Sequence, residues 1–214
     1  MSVQIPSLLD SLIIETDKAI RTVFGRPETT ARPIPSSDIE DKSLTAQEQA
    51  YSTRLMRINH AGEVSAQALY QGQALTAKLP DVRQAMEQAA IEENDHLVWC
   101  QQRINELDGH TSILNPLWYA GSFAIGAMAG KIGDKWSLGF VAETEKQVVH
   151  HLDEHLSSIS KQDRKSRAIL EQMKIDELHH GTIALQAGGA ELPKPVKLVM
   201  GIMSKVMTKS SYWI

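Results

Sequence analysis

Three long stretches of this 214-residue chain place apolar residues at helical spacing, and each apolar stripe carries a glutamate near its middle. These glutamates are Glu93, Glu145 and Glu177. Burying an ionised carboxylate among apolar side chains is strongly unfavourable unless a partner neutralises its charge. One such glutamate could form a salt bridge inside a helical bundle, but three of them require a shared positive charge.

Helix signals dominate the chain and strand signals are nearly absent, so we predict an all-α fold. Four long helices are predicted at 45–78, 81–107, 134–159 and 162–187, and Thr45 and Glu48 form a capping box that opens the first. The helices form two pairs with tight turns, and a long connection separates the pairs. This arrangement is typical of a ferritin-like four-helix bundle.

The remaining segments are an N-terminal amphipathic helix, a Pro-rich linker, an apolar segment in the long connection and a C-terminal helix, expected at 5–24, 26–42, 117–130 and 196–208. The chain therefore divides into three predicted parts. Residues 1–44 form the N-terminal helix and linker, 45–190 form the bundle, and 191–214 form a C-terminal amphipathic helix.

A Glu-x-x-His motif occurs twice, as Glu93 with His96 and as Glu177 with His180, and the two copies are 177 − 93 = 84 residues apart. Residues three positions apart lie on one face of a helix, and both can coordinate the same metal ion. The lone Glu145 has a counterpart 145 − 63 = 82 residues earlier, at Glu63. Four glutamates and two histidines predict a carboxylate-bridged two-metal site, with ligands suited to iron or manganese, and zinc as a possible metal.

Other ligand choices exist at two positions. Glu92 could replace Glu93, and Asp176 could replace Glu177, but the i, i+3 choice makes both halves identical. Glu92 and Asp176 are then expected either to hydrogen-bond the non-metal nitrogen of a ligand histidine across the pair, or to be solvated acids on the helix flank. His151 is expected to line an access route to the site or to lie on the surface.

Composition excludes several classes of protein. A formal net charge of −4 and the lack of a dense Lys/Arg run argue against nucleic-acid binding. The single Cys100 excludes intrachain disulfides and thiolate metal ribbons, and it is expected to be a small core residue. No secretory signal is evident, and no uncharged apolar run approaches the ~20 residues of a membrane-spanning helix.

Two short apolar segments, Leu117–Gly130 and Val196–Met207, suggest contact with a membrane surface. The second is flanked by lysines and is followed by Tyr212 and Trp213, which favours an interfacial helix drawn to anionic lipid. We expect its apolar side to consist of Val196, Val199, Met200, Met203 and Met207. The alternative is that both segments bury against each other or at a dimer interface.

Four stretches of the sequence resemble a known family: RINHAGEVSA (57–66), EENDHLVWC (92–100), GFVAETEKQVVHHLDEHL (139–156) and MKIDELHHG (173–181). They are similar to the motifs of the demethoxyubiquinone hydroxylases, ferritin-like di-iron monooxygenases of ubiquinone biosynthesis, and the bacterial type is most similar. The resemblance covers residues 45–214. It implies that two iron ions are held by the same six residues, Glu63, Glu93, His96, Glu145, Glu177 and His180.

The resemblance also implies that the chain uses O2 and two electrons to hydroxylate the ring of a polyprenyl quinol that lacks one methoxy group. The electrons would come from a reductase, from transiently bound NADH or from the quinol itself. Some members have a tyrosine after the equivalent of His151, where this chain has Leu152, so a tyrosine relay is not expected.

The implied location is the cytoplasmic face of the bacterial inner membrane, as a peripheral protein that could form homo-oligomers or bind other ubiquinone-biosynthesis proteins. The competing function is a ferritin-like iron-storage or peroxide-scavenging protein.

Overall fold

The computed structural model describes residues 8–25, 27–40 and 42–214, and in those ranges it contains seven helices and no strand. The helices are α1 (Leu8–Phe24), α2 (Ala46–Thr76), α3 (Pro80–Glu106), α4 (Asn115–Ile132), α5 (Asp134–Ser158), α6 (Arg164–Gln186) and α7 (Lys194–Trp213). The all-α prediction is therefore confirmed for the described part of the chain. The first three residues of the predicted N-terminal helix lie outside the described residues.

Local sequence accounts for several helix ends. Both hydrogen bonds of the predicted capping box form at Thr45 and Glu48. Pro80 occupies the start of α3, where its missing N–H is not needed. Gly133 separates α4 from α5 with φ of +147°, a conformation that favours glycine. The Asp163 carboxylate accepts a hydrogen bond from the Ser166 N–H and caps α6.

Helix α2 is buried over most of its circumference, because α3, α4, α5 and α7 all contact it. The apolar segment predicted at 117–130 forms most of α4, and its Gly/Ala-rich side packs against α2. A Cβ atom added at Gly126 would lie 2.2 Å from the Leu69 carbonyl oxygen, so only glycine allows this close approach. The opposite side of α4 exposes Leu117 and Met128.

The packing of α2, α3, α5 and α6 creates two apolar layers. One layer has large side chains, including Met56, Ile104, Leu152 and Leu170. The other is rich in alanine. In each of the four helices, the residues predicted to bind metal fall between the residues that supply these two layers.

Helix α7 lies against α2 and α5 and turns a largely polar side inward. Ser211 is buried, and Ser204 is hydrogen-bonded to His151. The outward side is apolar, with Leu198, Ile202 and Val206 each more than half exposed. The side predicted from sequence needs correction, because Met200 and Met207 are half-buried.

The helix also continues to Trp213, beyond the predicted end at residue 208. No described helix is both long enough and apolar enough to span a membrane.

Candidate metal centre

The six residues predicted to bind metal come from four helices and are all buried. Helix α2 supplies one, α3 two, α5 one and α6 two: Glu63, Glu93, His96, Glu145, Glu177 and His180. The most exposed of them, His180, retains only 6% of its surface. Ligand atoms of Glu63, Glu93, His96 and Glu177 all lie within 4.8 Å of one another.

Glu93 and Glu177 occupy the middle of this cluster, because each lies close to both histidines. Nδ1 of His96 is 3.3 Å from Oε2 of Glu93 and 3.3 Å from Oε1 of Glu177. Nδ1 of His180 is 3.0 Å from Oε1 of Glu93 and 3.5 Å from Oε2 of Glu177. The two Glu-x-x-His motifs thus face each other, and each glutamate can reach two metal positions.

Glu63 and Glu145 lie toward opposite sides of this central group. Oε2 of Glu63 is 3.7 Å from Nδ1 of His96. Glu145 interacts with Glu177 and His180, and it accepts a hydrogen bond from the buried Tyr70 hydroxyl. The arrangement therefore has two similar halves, each with one histidine and one lone glutamate beside the two shared carboxylates.

Burial and neighbouring charged groups shift the pKa values of the cluster residues. Burial raises the pKa of Glu63 and of Glu145 well above the usual range. Burial acts in the same direction on Glu93, but the two imidazoles reverse it and lower the pKa of Glu93. Burial would lower the pKa of His180, yet Glu177 and Glu93 raise it to about 12.

The pKa of His96 also rises despite burial, because Asp176 and three glutamates surround it. When ionised, the four buried glutamates carry a charge of −4, which two divalent cations would neutralise. The donor set therefore fits a pair of divalent cations.

Unpaired polar atoms support the same conclusion. Several ligand-type atoms of the cluster are buried without a hydrogen bond of acceptable geometry: Glu63 Oε2, both Glu93 oxygens, Glu177 Oε2, and Nδ1 of His96 and of His180. Such atoms are rare in folded proteins, because burying them without a partner is costly. Here they converge on one place, as metal ligands do.

The outward nitrogens of both histidines are held by acids on the opposite motif. Nε2 of His96 is 2.8 Å from Oδ2 of Asp176, and Nε2 of His180 is 2.7 Å from Oε2 of Glu92. These are the cross-pair contacts expected from sequence. They leave Nδ1 of each ring facing the cluster.

His151 is placed elsewhere. Its ring contacts Glu154 and Ser204, between α5 and α7, and it does not reach the six-residue cluster. It follows Glu145 by six positions, so the two side chains project about 120° apart around α5.

Two further buried residues lie beside the cluster, and sequence reasoning gave no role to the first of them, Tyr70. Tyr70 follows Glu63 by seven residues, a two-turn spacing that puts both on one face and could have identified it. Cys100 is fully buried, and its Sγ lies 3.7 Å from Sδ of Met173, in keeping with its expected place in the core.

Comparison with known proteins shows to which family the chain is similar. Residues 50–211 match the family model described as ubiquinone biosynthesis protein COQ7. A 3-demethoxyubiquinol 3-hydroxylase from Nitrosococcus oceani is 64% identical over 208 residues, which is 97% of each chain. A protein of the same description from Nitrosospira multiformis is 57% identical, over 96% of this chain and 99% of its own. Another, from Pseudomonas putida, is 58% identical over 97% of each chain.

The chain belongs to the COQ7 family. All six cluster residues lie inside the matched range, as do Tyr70 and both outer acids. The sequence resemblance to the demethoxyubiquinone hydroxylases is confirmed at the level of the family.

A cavity of about 210 Å³ adjoins the cluster in this COQ7-family chain, between the N-terminal half of α3 and the C-terminal half of α6. Tyr70 and His180 form part of its wall, together with Glu92. The rest of the wall is mostly apolar and includes Ala89 and Ala184. Because alanines line it, the alanine-rich layer leaves space beside the Glu/His cluster that larger side chains would fill.

Proposed function

We propose that this chain is a di-iron monooxygenase that hydroxylates the ring of a demethoxy-polyprenyl quinol in ubiquinone biosynthesis, using O2 and two electrons. One observation carries the proposal: the four-glutamate, two-histidine cluster lies buried in a chain that is 64% identical to a 3-demethoxyubiquinol 3-hydroxylase. In this proposal, α2, α3, α5 and α6 form a ferritin-like bundle, and the bundle is the central part, 45–190, of a chain with N-terminal and C-terminal extensions.

The proposed iron ligands are the six cluster residues. Glu93 and Glu177 would be shared between the two ions, while Glu63 with His96 and Glu145 with His180 would complete the two halves. Carboxylate and imidazole donors suit iron. When bound, the iron pair supplies the redox chemistry by which O2 is activated.

The protein itself contributes position and exclusion of water. Glu92 and Asp176 hold the two histidine rings, so that Nδ1 of each remains aimed at the cluster. The apolar cavity beside Tyr70 would hold the quinol ring next to the ligands. The Tyr70 hydroxyl donates to Glu145 and also forms part of the cavity wall, so it can fix the orientation of that carboxylate beside the substrate.

A membrane-bound position follows from the chemistry of such a substrate. A polyprenyl quinol partitions into the bilayer, and the outward side of α7 is apolar and exposed. Lys205 and Lys209 are exposed on the same helix, and Trp213 ends it. We propose that α7 lies in the lipid interface at the cytoplasmic face of the inner membrane, as a peripheral contact.

The test is a single-turnover assay. The protein is loaded with two equivalents of Fe(II) without oxygen, then mixed with O2, a reductant and a demethoxyquinol, and the product mass is measured. We expect the ring to gain one oxygen atom. Glu63→Ala and Glu145→Ala should abolish this gain, while Glu171→Ala, at an exposed position of α6, should not. A product of unchanged mass from the loaded wild-type protein would refute the proposed function.

A further inference from the structure

The segment between α1 and α2 crosses the outer side of the candidate metal centre. Residues 28–32 run over α3 where that helix carries Asn94, Asp95 and His96. Nδ2 of Asn94 donates to the Glu28 carbonyl oxygen at 2.6 Å, and the Thr30 N–H donates to Oδ1 of Asp95 at 2.9 Å. The Thr30 hydroxyl donates to the other oxygen of Asp95. Asp95 retains only 1% of its surface, so these contacts satisfy a carboxylate that would otherwise be buried alone.

Arg32 joins this segment to two helices at once. Its Nε donates to Oδ2 of Asp95 on α3 at 2.8 Å, and its Nη1 donates to Oδ2 of Asp176 on α6 at 2.9 Å. Its guanidinium also lies 4.9 Å from the ring centroid of Trp99. A planar guanidinium is suited to such a fork and to stacking on an aromatic ring, and a lysine ammonium is not.

The Asp176 oxygen that accepts from Arg32 also contacts Nε2 of His96, at 2.8 Å. The other oxygen of Asp176 accepts from Gln172 at 2.9 Å. Asp176 is therefore held by groups on two sides, and its position determines the orientation of the His96 ring. A continuous series of contacts runs from Arg32 through Asp176 to His96.

The half of the cluster that contains His180 is supported by different contacts. Glu92, which contacts His180, is itself held by Gln88 on the same helix, at 2.9 Å. The Glu92 side chain is also more exposed than that of Asp176, at 32% against 14%. The two halves of the internal repeat thus share their ligands but differ in how the histidine is supported.

We propose that the segment 28–32 is a clamp on the metal centre, and that Arg32 is a positioning residue that fixes His96 through Asp176. The clamp acts on the half of the centre that contains His96 and Glu63, and not on the half that contains His180. This inference rests on the proposed function, since it assumes that the cluster binds two iron ions.

The experiment compares wild-type protein with Arg32→Ala, Arg32→Lys and the control Arg21→Ala. Arg21 forms an exposed ion pair with Asp17 on α1 and contacts no cluster residue in the described structure. Each protein is loaded with two equivalents of Fe(II) without oxygen. A chelator is then added, and iron release is followed together with the Mössbauer spectrum of ⁵⁷Fe-loaded samples.

For wild type and Arg21→Ala we expect both ions to leave slowly. For Arg32→Ala we expect one ion per chain to leave about tenfold faster, as for other changes behind a metal ligand, while the second keeps the wild-type rate. One of two iron quadrupole doublets should change. Arg32→Lys should lie between wild type and Arg32→Ala, because it keeps the charge but loses the fork.

Two outcomes would overturn the inference. Release of both ions at the wild-type rate would show that Arg32 does not support the centre. Equal acceleration of both ions, with loss of thermal stability in the metal-free protein, would show a general structural role. If Arg32→Ala does not fold, Arg32→Lys decides by the same criteria. Failure of the wild-type chain to bind two iron ions would instead refute the proposed function and, with it, this inference.

Discussion

Nε2 of His180 on α6 lies 2.7 Å from Oε2 of Glu92 on α3, so the residue before one Glu-x-x-His motif supports the histidine of the other. Glu92→Ala would remove this support and let the imidazole rotate. We expect metal affinity to fall about 10- to 100-fold, the range known for partners of ligand histidines. Competition titration with a metal-binding dye measures the change.

The matched control is Glu87→Ala, at an exposed position on the same helix. Glu92→Gln keeps an acceptor oxygen and should lose less affinity than Glu92→Ala. Equal affinities for the wild-type and Glu92→Ala proteins would show that this hydrogen bond does not support metal binding.

Tyr70 is the donor to Glu145 and part of the cavity wall, so Tyr70→Phe separates these two functions. The ring remains, but the Glu145 carboxyl loses a buried hydrogen bond. We expect a loss of about 1 kcal/mol in the free energy of unfolding and about a tenfold slower hydroxylation, with iron content unchanged. Single-turnover kinetics and metal analysis test this together. A variant with wild-type rates would leave Tyr70 only a packing role.

Arg103 and Asp163 form a buried ion pair, 2.8 Å from Nη2 to Oδ1, that ties α3 to the start of α6. Both side chains are fully buried, so Asp163→Ala would leave the arginine charge without this partner and also remove the cap of α6. We expect unfolding to become easier by about 3–5 kcal/mol, measured by urea denaturation.

An exposed ion pair serves as the control for the buried pair of Arg103 and Asp163. Asp153→Ala removes the partner of Lys174 on the surface, and it should cost about 1 kcal/mol or less. Similar losses in Asp163→Ala and Asp153→Ala would contradict the importance assigned to the buried pair.

Ile202 is 54% exposed on the apolar side of α7, and Ile202→Glu tests the membrane contact. If this side enters the lipid interface, the change loses roughly 2 kcal/mol of transfer free energy, or about a 30-fold weaker partition into anionic vesicles. Vesicle co-sedimentation measures it. The control is Ile175→Glu on α6, a residue that is 60% exposed. Unchanged binding by Ile202→Glu would exclude α7 as the contact.

Local sequence was sufficient to predict the long helices and the side of each that carries the Glu/His cluster residues. Glu93 with His96 and Glu177 with His180 lie three residues apart, and a helix brings such residues together whatever surrounds it. The capping box at Thr45 is equally local, and it forms as predicted. The internal repeat, with offsets of 84 residues for the motifs and 82 for the lone glutamates, extended this reasoning to Glu63, which carries no motif of its own.

Contacts made by segments that lack a helical periodicity could not be predicted in this way. Arg32 reaches Asp176 across 144 residues, from a Pro-rich segment that has no helical spacing to orient its side chains. The sequence also placed Met200 and Met207 on the outward side of α7, and both are half-buried. Apolar residues occur around most of this helix, so composition alone could not show that Ser204 and Ser211 face inward while Ile202 faces outward.

By itself, the sequence determined an all-α chain with a set of four glutamates and two histidines on inward helix faces, because helical spacing and the cost of burying charge act on each segment separately. Only the tertiary structure decided which groups hold those residues in place. Asp176, Glu92, Tyr70 and Arg32 acquire their partners when distant segments pack together, and directional hydrogen bonds depend on that packing rather than on sequence spacing.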